Sequence, residues 1–148
     1  MFKLLLLLLF FLFSCGGDRL PRVQVRTLDN RVVYLSDYRG KDTLLYVWSK
    51  TCAGHSKDLK ELNRLVEERK DFLIISYAVA MTSEDVLRSY RELGIKDNFL
   101  TLIDTEVRFN DHIPITFLPS TYLFDKKGKL LKIQPGLYIP ASSRDSSF

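Results

Sequence analysis

The sequence predicts an α/β sandwich built on a mixed central sheet. Three observations indicate this class: strand-forming apolar runs alternate with two amphipathic helical patterns, one hairpin pattern opens the domain, and a second hairpin pattern closes it. The predicted order of elements is β-β-β-α-β-α-(β)-β-β, in which the bracketed element is a short strand or an extended segment. Strands that alternate with helices and end in a hairpin imply a mixed sheet covered by helices.

The first hairpin begins in a stretch of alternating polar and apolar residues. Within Arg22–Thr27, Val23 and Val25 alternate with polar side chains, which is typical of a half-buried strand. Asp and Asn follow within the next four residues and favour a tight turn. Val32–Leu35 is the predicted returning strand, so the domain is expected to open with an N-terminal β-hairpin.

A continuously apolar segment, Thr43–Trp48, predicts a central strand that is covered on both faces. The polar residues Ser49–Ala53 are therefore expected at the C-terminal end of that strand. From His55 to Arg69, four apolar residues recur at helical spacing opposite a charged face, which predicts an amphipathic helix.

The second half of the domain repeats this alternation and then ends in a hairpin. Phe72–Ala80 is a second buried-type strand, and Thr82–Asp85 has the composition of a helix start, with Gly94 ending that helix. Phe99–Ile103 predicts the short bracketed strand, and Thr105–Phe117 supports no firm assignment. The last two predicted strands are Tyr122–Phe124 and Lys129–Ile133, and the turn between them is Asp125–Gly128.

The N-terminus is typical of an export signal. Lys3 precedes the unbroken apolar run Leu4–Phe13, which is too short to span a membrane. Leu12-Phe13-Ser14-Cys15 resembles the lipobox of bacterial lipoproteins, in which the cysteine is diacylated and becomes the mature N-terminus. The alternative is an ordinary cleaved signal with a coincidental cysteine. We predict a protein that is exported and lipid-anchored through Cys15 to the cell envelope membrane, facing the periplasm or the cell exterior.

These features divide the chain into four segments. Residues 1–14 are the predicted signal peptide, 15–21 a tether, 22–137 one folded domain, and 138–148 a flexible tail rich in serine. The formal net charge is only +4, and the basic residues form no concentrated stripe, which argues against a nucleic-acid partner. The basic pair Lys126-Lys127 is predicted to be a solvated turn.

Two segments resemble the thioredoxin superfamily, and within it the membrane-tethered TlpA/ResA type. The first is the run from Leu44 to His55 with Trp48 and Cys52 in it, and the second is the segment Phe117–Asp125 with Pro119. The resemblance covers roughly residues 23–136. It implies a thioredoxin-like fold, a cis-proline at Pro119 facing Cys52, and a substrate groove bordered by Trp48 and Pro119.

The chain departs from this family pattern at two points. His55 stands where the family has its second, resolving cysteine, so no internal disulfide is expected at the site. The segment after Gly136 is too short and too rich in Pro and Ser for the C-terminal helix that usually closes the fold, so that helix is predicted to be missing.

Cys52 and His55 are the predicted catalytic residues. A cysteine just before the first helical turn is expected to have a lowered pKa, because the helix N-terminus favours the thiolate. His55, one turn further on, could form an ion pair with that thiolate. The competing interpretations are a solvated His55, an inert buried Cys52, and a Trp48 that is ordinary core packing.

A single activated thiol supports exchange with protein disulfides that an external thiol resolves. We therefore predict monothiol thiol-disulfide exchange with extracytoplasmic protein thiols or disulfides, with no cofactor and no metal. One alternative is a redox-inactive binding module that holds an extended partner segment between Cys52 and Pro119. Another is a copper-binding protein similar to the Sco-type chaperones, with Cys52, His55 and His112 as ligands, although the spacing of these residues is not diagnostic.

Overall fold

A mixed sheet of seven strands forms the centre of the computed structural model, which describes residues 18–142. The predicted signal peptide, residues 1–14, and Cys15 lie outside the described residues. The strands are β1 (Gln24–Thr27), β2 (Val32–Tyr34), β3 (Thr43–Trp48), β4 (Leu73–Val79), β5 (Leu100–Asp104), β6 (Ser120–Phe124) and β7 (Leu130–Pro135). The helices are α1 (His55–Glu68) and α2 (Ser83–Leu93). This architecture confirms the predicted fold class.

The strand order across the sheet is β2-β1-β5-β4-β3-β6-β7. Strands β3, β4 and β5 are parallel to one another, and the two hairpins add antiparallel strands on either side. The bracketed strand of the prediction is β5, which pairs with both β4 and β1. The run Thr43–Trp48 is buried throughout, as expected for the strand with neighbours on both edges and cover on both faces.

Both helices cover the same face of the sheet. The β3-α1-β4 and β4-α2-β5 connections advance in the same direction along the sheet, and right-handed crossovers then place their helices on one side. Leu59 and Leu62 of α1 and Val86 of α2 are fully buried in that layer. The other face is covered by residues from loops and short 3-10 turns, among them Leu20, Leu35, Phe109 and Ile113.

Within the described residues no helix follows β7. Instead Leu137, Tyr138 and Ile139, which lie outside any helix or strand, pack against the helix-side core. The Tyr138 amide donates to the Thr121 hydroxyl at 2.9 Å, and Arg69 donates to the Pro140 carbonyl at 2.9 Å. The described part of the predicted tail is therefore joined to the domain, because its apolar side chains cover sheet surface that would otherwise be exposed.

The N-terminal boundary of the domain also differs from the prediction of a tether over residues 15–21. Leu20 and Pro21 are buried, and the Leu20 amide donates to the Gly128 carbonyl at 2.6 Å. The Leu130 amide donates to the Asp18 carbonyl at 2.8 Å. The folded unit thus includes residues 18–21, because this segment pairs with the edge of the last hairpin. Among residues 18–142, no helix has the length and apolar character needed to cross a bilayer.

Candidate functional site

The candidate site is the loop that joins β3 to α1 at the C-terminal end of the central strand. Ser49 is buried, and its carbonyl accepts the Cys52 amide at 3.0 Å, which turns the chain immediately after β3. Gly54 has φ of +82° and precedes the first helical residue, His55. A positive φ is readily adopted only by glycine, so Gly54 sets the angle at which the chain enters α1.

Cys52 is the free cysteine of the described residues, and its side chain is half-buried. The Ser49 amide donates to the Cys52 sulfur at 3.2 Å. Burial raises the pKa of the Cys52 thiol, and the hydrogen bond from Ser49 lowers it only in part. The thiol is therefore within reach of solvent and predominantly protonated at neutral pH.

The raised pKa of the Cys52 thiol corrects the prediction that this pKa would be lowered. Cys52 lies two residues before Gly54, the residue that caps α1, and the favourable effect of a helix N-terminus falls off within the first turn. The amide that contacts the sulfur belongs to Ser49 and not to the helix. The loss of solvent around the sulfur therefore outweighs the stabilisation of its charge.

The His55 ring does not form the ion pair that the sequence suggested. Its Nδ1 lies 2.6 Å from the Cys52 carbonyl oxygen, and its ring stacks on Trp48 with centroids 5.5 Å apart and an interplanar angle of 14°. As a donor, Nδ1 closes the loop from Cys52 back to the first helical residue. His55 thus holds the backbone that carries the thiol, which is a positioning role.

Trp48 belongs to the core and not to the wall of a groove, since its side chain is 0% exposed. The indole N–H donates to the Ser76 hydroxyl at 2.9 Å. The Tyr90 hydroxyl, 2.7 Å from Ser76 and 2.8 Å from Thr101, completes a buried network, and burial raises the pKa of Tyr90 to about 12. The correction has a physical reason: a fully paired indole under α2 is more stable there than at the surface.

The network of Ser76, Tyr90 and Thr101, of which Ser76 contacts the indole N–H directly, was not predicted from the sequence. Ser76 and Thr101 interrupt the apolar strands β4 and β5, and Tyr90 lies on the apolar stripe of α2. A polar residue inside an otherwise apolar run predicts a buried hydrogen-bond partner, because buried hydroxyls are nearly always hydrogen-bonded.

Tyr46 is a further titratable neighbour of the thiol. Its hydroxyl donates to Asp58 of α1 at 2.7 Å. Burial, then Asp58, and least of all Cys52 raise the pKa of Tyr46. The hydroxyl stays protonated across the physiological range, so it brings no negative charge to the vicinity of Cys52.

The Leu118–Pro119 peptide bond is cis, as predicted. Ser120 pairs with Val47 in the register between β6 and β3, so Pro119 lies at the same end of the sheet as the loop with Cys52. Phe117 and Leu118, directly before Pro119, are 57% and 42% exposed. The structure therefore brings Cys52 and Pro119 to one edge of the sheet, beside two exposed apolar side chains.

The copper-binding alternative finds no support in the arrangement of potential ligands. His112 is exposed and follows the 3-10 turn Arg108–Asp111 after β5, while the His55 Nδ1 bonds to the Cys52 carbonyl oxygen. Between residues 18 and 142, no three His, Cys, Asp or Glu side chains are grouped as a metal site would need.

We predict that the alkylation rate of Cys52 rises with pH through a midpoint above the ordinary value of about 8.5 for a free cysteine. The reason is that burial disfavours the thiolate, which is the reacting form. The rate of reaction with iodoacetamide, measured from pH 6 to 10 on the Cys15→Ser variant so that Cys52 is the one cysteine of the sequence, checks this expectation. A midpoint near neutral pH would contradict it and would restore the activated thiol that the sequence suggested.

In sequence, the chain is similar to proteins named thiol-disulfide oxidoreductases and to a thioredoxin-like protein. It is 27% identical over 122 residues to the thiol-disulfide oxidoreductase ResA of Geobacillus thermodenitrificans. This alignment covers 81% of this chain and 69% of that protein. It is also 27% identical to the thioredoxin-like protein YneN of Bacillus subtilis, over 81% of this chain and 71% of the relative.

Solved structures show the same fold at lower identity. A putative thiol:disulfide interchange protein DsbE from Chlorobium tepidum superposes with a TM-score of 0.71 at 21% identity, covering 86% of this chain and 89% of that one. The exposed lipoprotein thioredoxin Etrx1 of Streptococcus pneumoniae gives a TM-score of 0.66 at 23% identity, covering 79% and 90%. The AhpC/TSA family model matches residues 16–133, which is most of the chain. With its seven-stranded mixed sheet and its cis-proline beside the cysteine loop, the chain belongs to the thioredoxin-like AhpC/TSA family.

Proposed function

We propose that this protein is an extracytoplasmic thiol-disulfide exchange protein that works through one thiol, that of Cys52. The observation that carries the proposal is the position of this half-exposed thiol at the C-terminal end of β3, at the same sheet edge as cis-Pro119. The relatives named thiol-disulfide oxidoreductases support the same class of reaction.

The proposed reaction has two exchange steps. The Cys52 thiolate attacks one sulfur of a partner disulfide, a new S–S bond forms to Cys52, and the other partner sulfur leaves as a thiolate. An external thiolate then attacks the partner sulfur of the mixed disulfide, a new S–S bond forms between these two sulfurs, and Cys52 leaves as a thiolate that takes up a proton at neutral pH. The raised pKa of Cys52 lowers the thiolate fraction but leaves the remaining thiolate more nucleophilic, so it slows the first step without preventing it.

His55 is central to the monothiol character of the proposal. By resemblance, it stands three residues after Cys52 where a family member has its resolving cysteine. Since Cys52 is the free cysteine of residues 18–142, no second thiol of the domain is available to release a bound partner. The mixed disulfide is therefore expected to persist until an external thiol arrives.

The test is a mixed-disulfide assay with the aromatic disulfide 5,5′-dithiobis(2-nitrobenzoate) on the Cys15→Ser variant, in which Cys52 is the one cysteine of the sequence. We predict the release of one thionitrobenzoate per protein and a mass increase on the Cys52 peptide, because one sulfur of the reagent stays on the protein. The same protein with Cys52→Ser added should release none. Release without a mass increase at Cys52 would contradict the assignment of the thiol.

We further propose that Cys15 carries a lipid anchor, on the evidence of the apolar run Leu4–Phe13 ending at Ser14-Cys15. The structural neighbour Etrx1, described as an exposed lipoprotein, supports this arrangement.

Replacing Cys15 by Ser is expected to move the exported protein from the membrane to the soluble fraction, because the variant has no sulfur to acylate. Fractionation of cells that express either form measures this. Cys52→Ser, which leaves the anchor intact, is the matched control and should remain with the membrane. Retention of the Cys15→Ser variant in membranes would refute the anchor.

A second candidate function, a redox-inactive binding module, is favoured by two observations. The pKa of the thiol is raised, and Phe117 and Leu118 present exposed apolar surface beside Pro119. An extended partner segment could pair with the backbone there and bury those side chains. The two functions differ in one measurement: a binding module keeps its partner when Cys52 is replaced by Ser, whereas an exchange protein loses the covalent adduct.

A further inference from the structure

One corner of the domain carries a cluster of basic side chains, which we call the basic corner. It lies where the β6–β7 turn meets the N-terminal segment and the loop before β3. Its basic members, all exposed, are Arg19, Arg39, Lys41, Lys126, Lys127 and Lys129.

Backbone contacts bring these three segments together. The Leu20 amide donates to Gly128, and the Gly40 amide donates to the Lys126 carbonyl at 3.0 Å. Arg39 donates to the Leu20 carbonyl at 3.2 Å. The basic corner is thus a fixed feature of the fold, built from segments more than eighty residues apart in sequence, and not a mobile charge run.

The charge of the basic corner is not neutralised by its surroundings. The acidic residues of the same segments are Asp18, Asp42 and Asp125, which leaves three positive charges when they are set against the six basic residues. Asp42 and Asp125 accept backbone amides of the β6–β7 turn. Among residues 18–142, the ion pairs within 4 Å include none of the six basic side chains.

The proposed anchor is close to this corner. Asp18 already contacts the edge of β7 through its carbonyl, and Cys15 lies only three residues earlier in the chain. Three fully extended residues span at most about 10 Å. A lipid on Cys15 therefore holds Asp18 within about that distance of the bilayer surface, and the basic corner lies next to Asp18.

We propose that the basic corner docks on anionic lipid headgroups and so directs Cys52 away from the bilayer. This inference rests on the proposed anchor at Cys15. Thr43, the first residue of β3, lies at the basic corner, because it pairs with Phe124 just before the β6–β7 turn. Cys52 follows the opposite end of that strand. The two ends of β3 are separated by about five residues at the usual strand rise, which is roughly 17 Å. The partner would accordingly present its disulfide in the aqueous layer and not within the membrane.

The test is lysine footprinting of the full lipidated protein in vesicles. The protein is reconstituted into phosphatidylcholine vesicles with about one third phosphatidylglycerol and treated with a water-soluble acetylating reagent, and the rate at each lysine is read by mass spectrometry. We expect labelling of Lys126, Lys127 and Lys129 to fall at least fivefold relative to the same protein in a nonionic detergent. Lys57 and Lys60, exposed on α1, serve as internal controls and should change less than twofold.

A second variant pair tests the role of charge. Lys126→Glu combined with Lys127→Glu should abolish the protection of Lys129, whereas Lys57→Glu combined with Lys60→Glu should preserve it. The proposal would be overturned if the change in labelling rate between vesicles and detergent were the same at all lysines, or if only the lysines of α1 were protected. The mass of the N-terminal peptide shows separately whether Cys15 is acylated, and an unacylated peptide would also overturn it. Thionitrobenzoate release in detergent measures the exchange function independently of either result.

Discussion

Replacing His55 by Cys is expected to shorten the lifetime of a mixed disulfide at Cys52 at least a hundredfold, in the presence of about 1 mM external thiol. A cysteine three residues after Cys52, in the first turn of α1, would attack the mixed disulfide from within the same molecule. Well-placed groups of this kind act at effective concentrations far above those of a thiol in solution. The attack releases the partner and leaves an internal disulfide.

The measurement is the decay of a preformed mixed disulfide with a small labelled thiol, followed by mass spectrometry. His55→Ser is the matched control, because it removes the imidazole without adding a thiol, and its mixed disulfide should persist about as long as that of the wild type. Equal lifetimes for His55→Cys and His55→Ser would show that residue 55 does not face the Cys52 sulfur. The comparison of His55 with the resolving cysteine of the family would then be wrong.

Replacing Trp48 by Ala is expected to lower the free energy of unfolding by about 3–5 kcal/mol, as for other fully buried aromatic residues. The substitution leaves a cavity beneath α2 and removes the indole that donates to Ser76 and supports the His55 ring. Since a domain of this size is typically stable by only about 5–15 kcal/mol, the change is a large fraction of the total. Urea denaturation followed by circular dichroism measures it.

Two further variants separate packing from hydrogen bonding at Trp48. Trp48→Phe keeps an aromatic ring but loses the indole N–H, so we expect a smaller loss, about 1–3 kcal/mol, from the unpaired polar group and the reduced volume. Leu87→Ala, at a position of α2 that is 43% exposed, should cost less than about 0.5 kcal/mol. A Trp48→Ala variant as stable as Leu87→Ala would contradict the placement of the indole in the core.

Several elements of the fold could be predicted from local patterns. The alternation of Val23 and Val25 and the helical spacing of Leu59 and Leu62 reflect solvent on one side of an element and the core on the other, whereas the unbroken apolar run of β3 reflects core on both faces. The cis peptide at Pro119 was predictable as well, because the surrounding segment resembles the thioredoxin pattern. These features depend on residues that are close in sequence, so local sequence patterns are enough to predict them.

The properties of the site depended on residues that are distant in sequence. The direction of the Cys52 pKa shift follows from how much solvent the packed loop removes from the sulfur, and residue order does not reveal that quantity. The same holds for Trp48, whose partner Ser76 lies 28 residues away. A local pattern placed both residues at the end of β3 but could not decide between a groove and the core.

By itself, the sequence determined the fold class, the order of strands and helices, and the position of Cys52 between β3 and α1. Tertiary structure alone decided that His55 bonds to a carbonyl instead of the thiol, that Trp48 is buried, and that residues 18–21 belong to the domain. The physical reason is that the spacing of apolar residues along the chain already shows which faces of a helix or strand are buried. The desolvation of a side chain and its hydrogen-bond partners, in contrast, arise only when distant segments pack together.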